Sequence, residues 1–119
     1  MLVTKEFTFD AAHYLPNYHG KCEKMHGHTY TMQITVSAPL DPKTGIAFDF
    51  VKIKDIVQQK VLSKFDHSLL NDILEHPSAE NIAILVWKTL KKDLPLFEIK
   101  IWETATSFVT YHGEESDNL

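Results

Sequence analysis

The chain has 119 residues, a formal net charge of −4, 12 basic residues that are all lysine, seven histidines and one cysteine. Its length gives room for one domain with one core, and the acidic balance argues against a nucleic-acid partner, because neutralising phosphates needs a basic face. No apolar run long enough for a membrane span occurs, the start MLVTKEFTFD lacks the basic-then-apolar order of a secretory signal, and a lone cysteine forms no internal disulfide, so a cytoplasmic protein without a membrane partner is expected.

From Leu2 to His13 apolar and polar residues alternate, with Val3, Phe7, Phe9 and Ala11 on one parity, which predicts a strand with one buried face. His13 falls on that buried parity. A second strand is expected from His28 to Ser37, placing Tyr30, Met32, Ile34 and Val36 together and Thr29, Thr31 and Thr35 opposite; His28 shares the apolar side. The segment PLDPKTG is turn chemistry, and Ile53, Val57 and Val61 then sit at helical spacing between Phe50 and Phe65. The apolar run from Ala79 to Leu94, with Ser78 available as N-cap and Pro95 as terminator, predicts a buried second helix. Two further strands follow, Leu96 to Glu103 and Ser107 to Gly113, turning near Thr104 to Thr106. The order ββααββ predicts an α+β domain over residues 1–119, an antiparallel four-stranded sheet with both helices on one face, ending in a loose acidic tail from about residue 114.

Candidate chemistry gathers around the histidines. In His26-Gly27-His28 the two imidazoles are two residues apart on a strand and so point the same way, with glycine between them leaving the backbone adaptable. A catalytic zinc ion takes three protein ligands and leaves one position open, and His13, inward-facing on the first strand, supplies the third if the two strands are neighbours; the alternative is that each histidine is merely packed or surface-exposed. Cys22, in a polar loop with Lys21 and Lys24, is open to three readings: a reactive thiolate, a fourth ligand that closes the zinc site, or a plain surface thiol. Asp66-His67 is either a tautomer-fixing carboxylate–imidazole pair or a helix cap beside a surface loop. Glu103 continues the inward parity of Phe97, Ile99 and Ile101, so its carboxylate either meets a partner, such as an amidine-like edge with two N–H donors, or marks where the strand reaches solvent. Glu80, in a helix first turn, is accounted for equally by the helix dipole or by a ligand.

The combination of FDAAH at 9–13, Cys22 with three residues before HGH at 26–28, DH at 66–67, PSAEN at 77–81 and ET at 103–104 resembles the 6-pyruvoyl-tetrahydropterin synthase family over nearly the whole chain. The three-residue gap after Cys22 is similar to the bacterial, carboxy-forming branch of queuosine biosynthesis. The resemblance implies the tunnelling fold, a hexamer made of two trimers, and active sites between subunits; a short chain that builds deep pockets with difficulty agrees with such sharing. It further implies zinc on His13, His26 and His28, proton abstraction by Cys22, a relay through Asp66 and His67, and a pterin triphosphate held at its ring by Glu103, with Thr104 beside it and Glu80 in support. Two features depart from the pattern: Ser78 stands where threonine is frequent, and with no arginine any phosphate falls to lysines, histidines or backbone N–H groups.

Overall fold

A computed structural model describes residues 1–16 and 24–114. Two 12-residue strands, β1 (Leu2–His13) and β2 (His26–Ser37), form its long antiparallel ribbon. Their register pairs Phe7 with Met32, Phe9 with Tyr30, Ala11 with His28 and His13 with His26, so the apolar parity of both strands faces one way. On that face Tyr30, Met32, Ile34 and Val36 are fully buried. Beyond β2 come β4 (Leu96–Thr104) and β5 (Ser107–Tyr111), both antiparallel to their neighbours.

The sheet has five strands rather than the four expected, in the order β3-β1-β2-β4-β5. The addition is the two-residue β3 (Ser68–Leu69), which pairs parallel to β1 at Ala11 and Ala12. So short a segment carries no alternation for a periodicity argument to detect. It matters nevertheless, because it fixes Asp66 and His67 to the β1 edge.

Two helices cover the apolar face. The first, α1 (Phe50–Val57), is capped by Asp49, whose carboxylate accepts from the Val51 N–H at 2.8 Å, and runs on through a π-helical turn (Gln58–Leu62) into a last α turn (Ser63–Phe65). Four of its buried residues, Ile53, Val57, Val61 and Phe65, are four apart, with Leu62 buried beside them. On a regular α-helix that spacing drifts by about 40° per step, and the looser winding of the π turn keeps the four nearer one face. The second, α2 (Ala79–Leu90), begins where expected, with Ser78 Oγ accepting from the Asn81 N–H at 3.2 Å. It ends four residues before the expected Leu94, since the residue preceding a proline is steered out of the helical region and the chain loosens into turns ahead of Pro95. Leu94 is still buried, its N–H reaching back 3.0 Å to Leu90 O. Among the described residues, no helix is long and apolar enough to cross a membrane.

Two irregularities interrupt β4, and the first corrects its expected parity at Phe97. The register with β2 shifts between Thr35 and Val36, where Glu98 and then Leu96 are the partners, and Phe97 falls on the unpaired step. Phe97 is consequently exposed while Ile99 and Ile101 are fully buried. Nearer the other end, Trp102 pairs Phe108 and Thr104 pairs Ser107, leaving Glu103 as the extra residue of a bulge. Bulges re-aim side chains. This one sits where β2 begins, beside the histidines.

Candidate functional site

His13 is fully buried at the end of β1. Its Nδ1 lies 2.8 Å from the carbonyl of Pro77, just ahead of α2, and 3.3 Å from the Tyr30 hydroxyl. A carbonyl only accepts, so Nδ1 carries the hydrogen and Nε2 of the neutral ring presents its lone pair. His26 is held the same way, its Nδ1 donating to Lys24 O at 2.7 Å. The two Nε2 atoms face each other at 3.0 Å. Nε2 of His28 is buried without a hydrogen-bond partner, and burial pushes the His28 imidazole below its ordinary 6.5, with Glu103 opposing and the two neighbouring rings adding to the fall. The three ring centroids lie 4.5, 4.8 and 5.1 Å apart.

Imidazole nitrogens that converge beside a carboxylate, one of them buried without a hydrogen-bond partner, are a poor arrangement for an empty space and a good one for a cation. Three nitrogen donors with a carboxylate beside them suit zinc in particular, and the backbone carbonyls behind two of the rings fix their tautomers, as outer partners of metal-bound histidines do. The residues present therefore fit the metal that the sequence suggested. Gly27, expected to give the backbone freedom there, is not required on steric grounds: a Cβ would meet only Ala11 O, at an ordinary 3.7 Å.

Glu103 points into this cluster, as its parity predicted. One carboxylate oxygen lies 3.1 Å from His13 Nε2 and 3.5 Å from His28 Nε2. The nearest partners in the structure are thus imidazoles. The same carboxylate helps raise the Tyr30 phenol above its ordinary range, although burial is the larger cause.

Asp66 and His67 follow the last turn of α1. Asp66 Oδ2 is 3.1 Å from His67 Nδ1, and Asp66 Oδ1 accepts from the Asp10 N–H at 3.0 Å. That backbone bond is the main reason the Asp66 carboxyl lies below its ordinary 3.8; desolvation works against it and His67 adds to the lowering. His67 has a left-handed φ of 59° and donates its own N–H to Asp10 O at 2.6 Å. Such a conformation in a non-glycine residue persists only where its surroundings hold it. Asp10 is therefore the organiser of the pair, braced in turn by Thr29, whose hydroxyl donates to Asp10 Oδ1 at 2.5 Å. Neither was expected at the site, though FDAAH contains Asp10 and Thr29 faces it across the β1–β2 register.

The two groups share a space. An open hollow of about 520 Å³ is lined by Asp10, Ala12, Gly27, His28, Thr29 and His67, so one bound molecule can touch both a histidine of the cluster and the exposed imidazole. Thr104 lines a neighbouring hollow with Thr29, Thr31 and Trp102. Glu80, exposed in the first turn of α2, opens onto a third one, with Ala83, Ile84 and Val109 to Tyr111. Cys22 and Lys21 lie outside the described residues.

A mixed sheet roofed on one side by two helices, with side chains from β1, β2 and β4 closing on a single point, defines a tunnelling-fold protein with a candidate metal centre. The chain belongs to the 6-pyruvoyl tetrahydropterin synthase family, whose model matches residues 2–114. Over 96% of both chains it superposes on 6-pyruvoyl tetrahydropterin synthase from Caenorhabditis elegans, with a TM-score of 0.86 and 27% identity. It is 34% identical to 6-carboxy-5,6,7,8-tetrahydropterin synthase from Haemophilus influenzae, across 92% of this chain and 96% of that one. It is 33% identical to 6-pyruvoyl tetrahydrobiopterin synthase from Drosophila melanogaster, across 93% of this chain and 79% of the relative.

Proposed function

We propose that this chain is a zinc-dependent lyase of a pterin triphosphate. With water it converts 7,8-dihydroneopterin triphosphate into 6-carboxy-5,6,7,8-tetrahydropterin, releasing triphosphate and acetaldehyde. The observation that carries the reading is the meeting of His13, His26 and His28 through their Nε2 atoms. These three would hold zinc, which when bound supplies a positive charge that makes protons beside the substrate's side-chain oxygens easier to remove.

The remaining chemistry belongs to the chain's own groups. Cys22, as thiolate, takes a carbon-bound proton. His67, oriented by Asp66 and standing on the rim of the same hollow as His28, returns or relays one. Glu103 accepts two hydrogen bonds from the amidine edge of the pterin ring and keeps the side chain in register, with Thr104 beside it. Glu80 is a supporting contact that the third hollow would bring to a ligand shared between copies. In this reading a single domain assembles as a hexamer of two trimers, with sites at subunit boundaries, in the cytoplasm.

The relatives' names support both branches of the family at nearly equal identity; the three residues between Cys22 and His26 favour the carboxy-forming one. Incubation of the zinc-loaded protein with 7,8-dihydroneopterin triphosphate separates them. Acetaldehyde with a carboxypterin is the expected result, whereas a pyruvoyl product without acetaldehyde would assign the chain to the other branch. Cys22→Ala is expected to keep zinc and lose turnover; a parent protein that binds zinc and pterin but never turns over would instead be a binding module.

A further inference from the structure

Three atoms around His13 each offer a lone pair. His13 Nε2 is bare because its Nδ1 hydrogen goes to Pro77 O, His26 Nε2 is bare because its Nδ1 hydrogen goes to Lys24 O, and the Glu103 carboxylate is acceptor-only. They nonetheless approach to 3.0 and 3.1 Å. Acceptors packed so closely repel unless a cation lies among them or a ring is doubly protonated. A single divalent ion among the four side chains relieves all of these contacts at once.

The spacing matches a four-membered shell. Ligand bonds of about 2.0–2.1 Å in a tetrahedron place ligand atoms roughly 3.3–3.4 Å apart. Three of the six separations come near that value, 3.0 Å between His13 and His26, 3.1 Å between His13 and Glu103 and 3.5 Å between His28 and Glu103, and all four ligand atoms lie within 4.8 Å of one another. The carboxylate, moreover, is delivered by the unpaired residue of a bulge, with fewer ladder bonds to hold it than a regular strand position.

We propose that Glu103 is a displaceable fourth ligand, which closes the metal shell in the absence of substrate and is drawn off when a pterin edge offers it two N–H donors. The inference rests on the pterin reading above and adds to it: one carboxylate has two alternative partners, so recognition of the ring is what vacates the coordination position. A ligand without the amidine edge leaves the shell closed.

The test uses Co²⁺ in place of spectroscopically silent zinc, the full-length protein, the variants Glu103→Gln and Glu103→Ala, and neopterin as probe. Both variants are expected to lose at least tenfold in zinc affinity in a chelator competition, by comparison with the 10–100-fold lost when even an outer partner is disturbed. Their cobalt absorption should differ from that of the parent, and neopterin should shift the parent's band toward that of Glu103→Gln. Metal-free melting temperatures and circular dichroism of parent and variants verify that each one folds. Zinc affinity within twofold of the parent and an unchanged cobalt spectrum in both variants would overturn the proposal, even if neopterin binding is lost; ring anchoring would then stand alone. A cobalt band that neopterin binds without moving overturns the displacement. Failure of the parent to bind neopterin sinks the pterin reading and the displacement with it, while the affinity loss in Glu103→Gln still reports separately on ligation.

Discussion

His13 and Asp66 show how backbone groups tune side chains here. A carbonyl behind His13 decides which nitrogen faces the cluster, and an N–H in front of Asp66 decides its acidity. Because the Asp10 N–H is the largest cause of the lowering, His67→Ala should leave the Asp66 carboxyl titrating below 3.8 in a ¹³C NMR titration, with only part of the depression lost. The sign for stability follows from a folded value below the unfolded one: the contribution is complete above 3.8 and is lost as pH falls through the lower folded value. A carboxyl that returns to its ordinary value in His67→Ala would make the imidazole, not the backbone, the controlling partner.

At the scale of elements, the start of α2 is tied to the site. Ser78 caps the helix, and its neighbour Pro77 supplies the carbonyl that orients His13. Ser78→Ala is expected to cost about 1 kcal/mol (roughly 0.5–2) by removing the acceptor of the Asn81 N–H, read from denaturant unfolding. Zinc affinity should fall with it if the cap also steadies Pro77. The β1–β2 ribbon depends instead on its buried face. Ile34, fully buried between Lys5 on β1 and Ile99 on β4 in the ladder, is expected to cost about 2–5 kcal/mol when changed to alanine. A loss below about 1 kcal/mol would mean that the sheet and helices collapse readily around the missing side chain.

Across the whole molecule, the cluster joins strands that are distant in sequence: His13 from β1, His26 and His28 from β2, and Glu103 from β4. An ion held by them would bind the folded chain and not the unfolded one, so removing it should lower stability by mass action, about 2.7 kcal/mol when the free metal stood at 100 times its dissociation constant. Calorimetry before and after a chelator, with restoration by added zinc, measures this. An unchanged melting temperature would mean that these residues hold no ion tightly. Acid should also release the metal, because the three histidines must be neutral to bind it. For His28, whose value is lowered, protonation favours the unfolded chain and stability declines as pH drops below 6.5.

Alternation in β1 and β2, four-residue spacing in α1 and the Ser78 and Pro95 boundary signals determined the layers and the order of the main elements, because those patterns state which face of each element is buried. They also brought His13, His26 and His28 to one side of the sheet, since parity on paired strands is a local property. Tertiary structure alone decided what a period-two pattern cannot carry. The register shift that exposes Phe97, the parallel two-residue β3 that holds Asp66 and His67 against β1, and the carbonyl of Pro77 behind His13 all arise between segments far apart in the chain. Such contacts depend on register and on backbone groups, and a backbone carbonyl has no letter in the sequence.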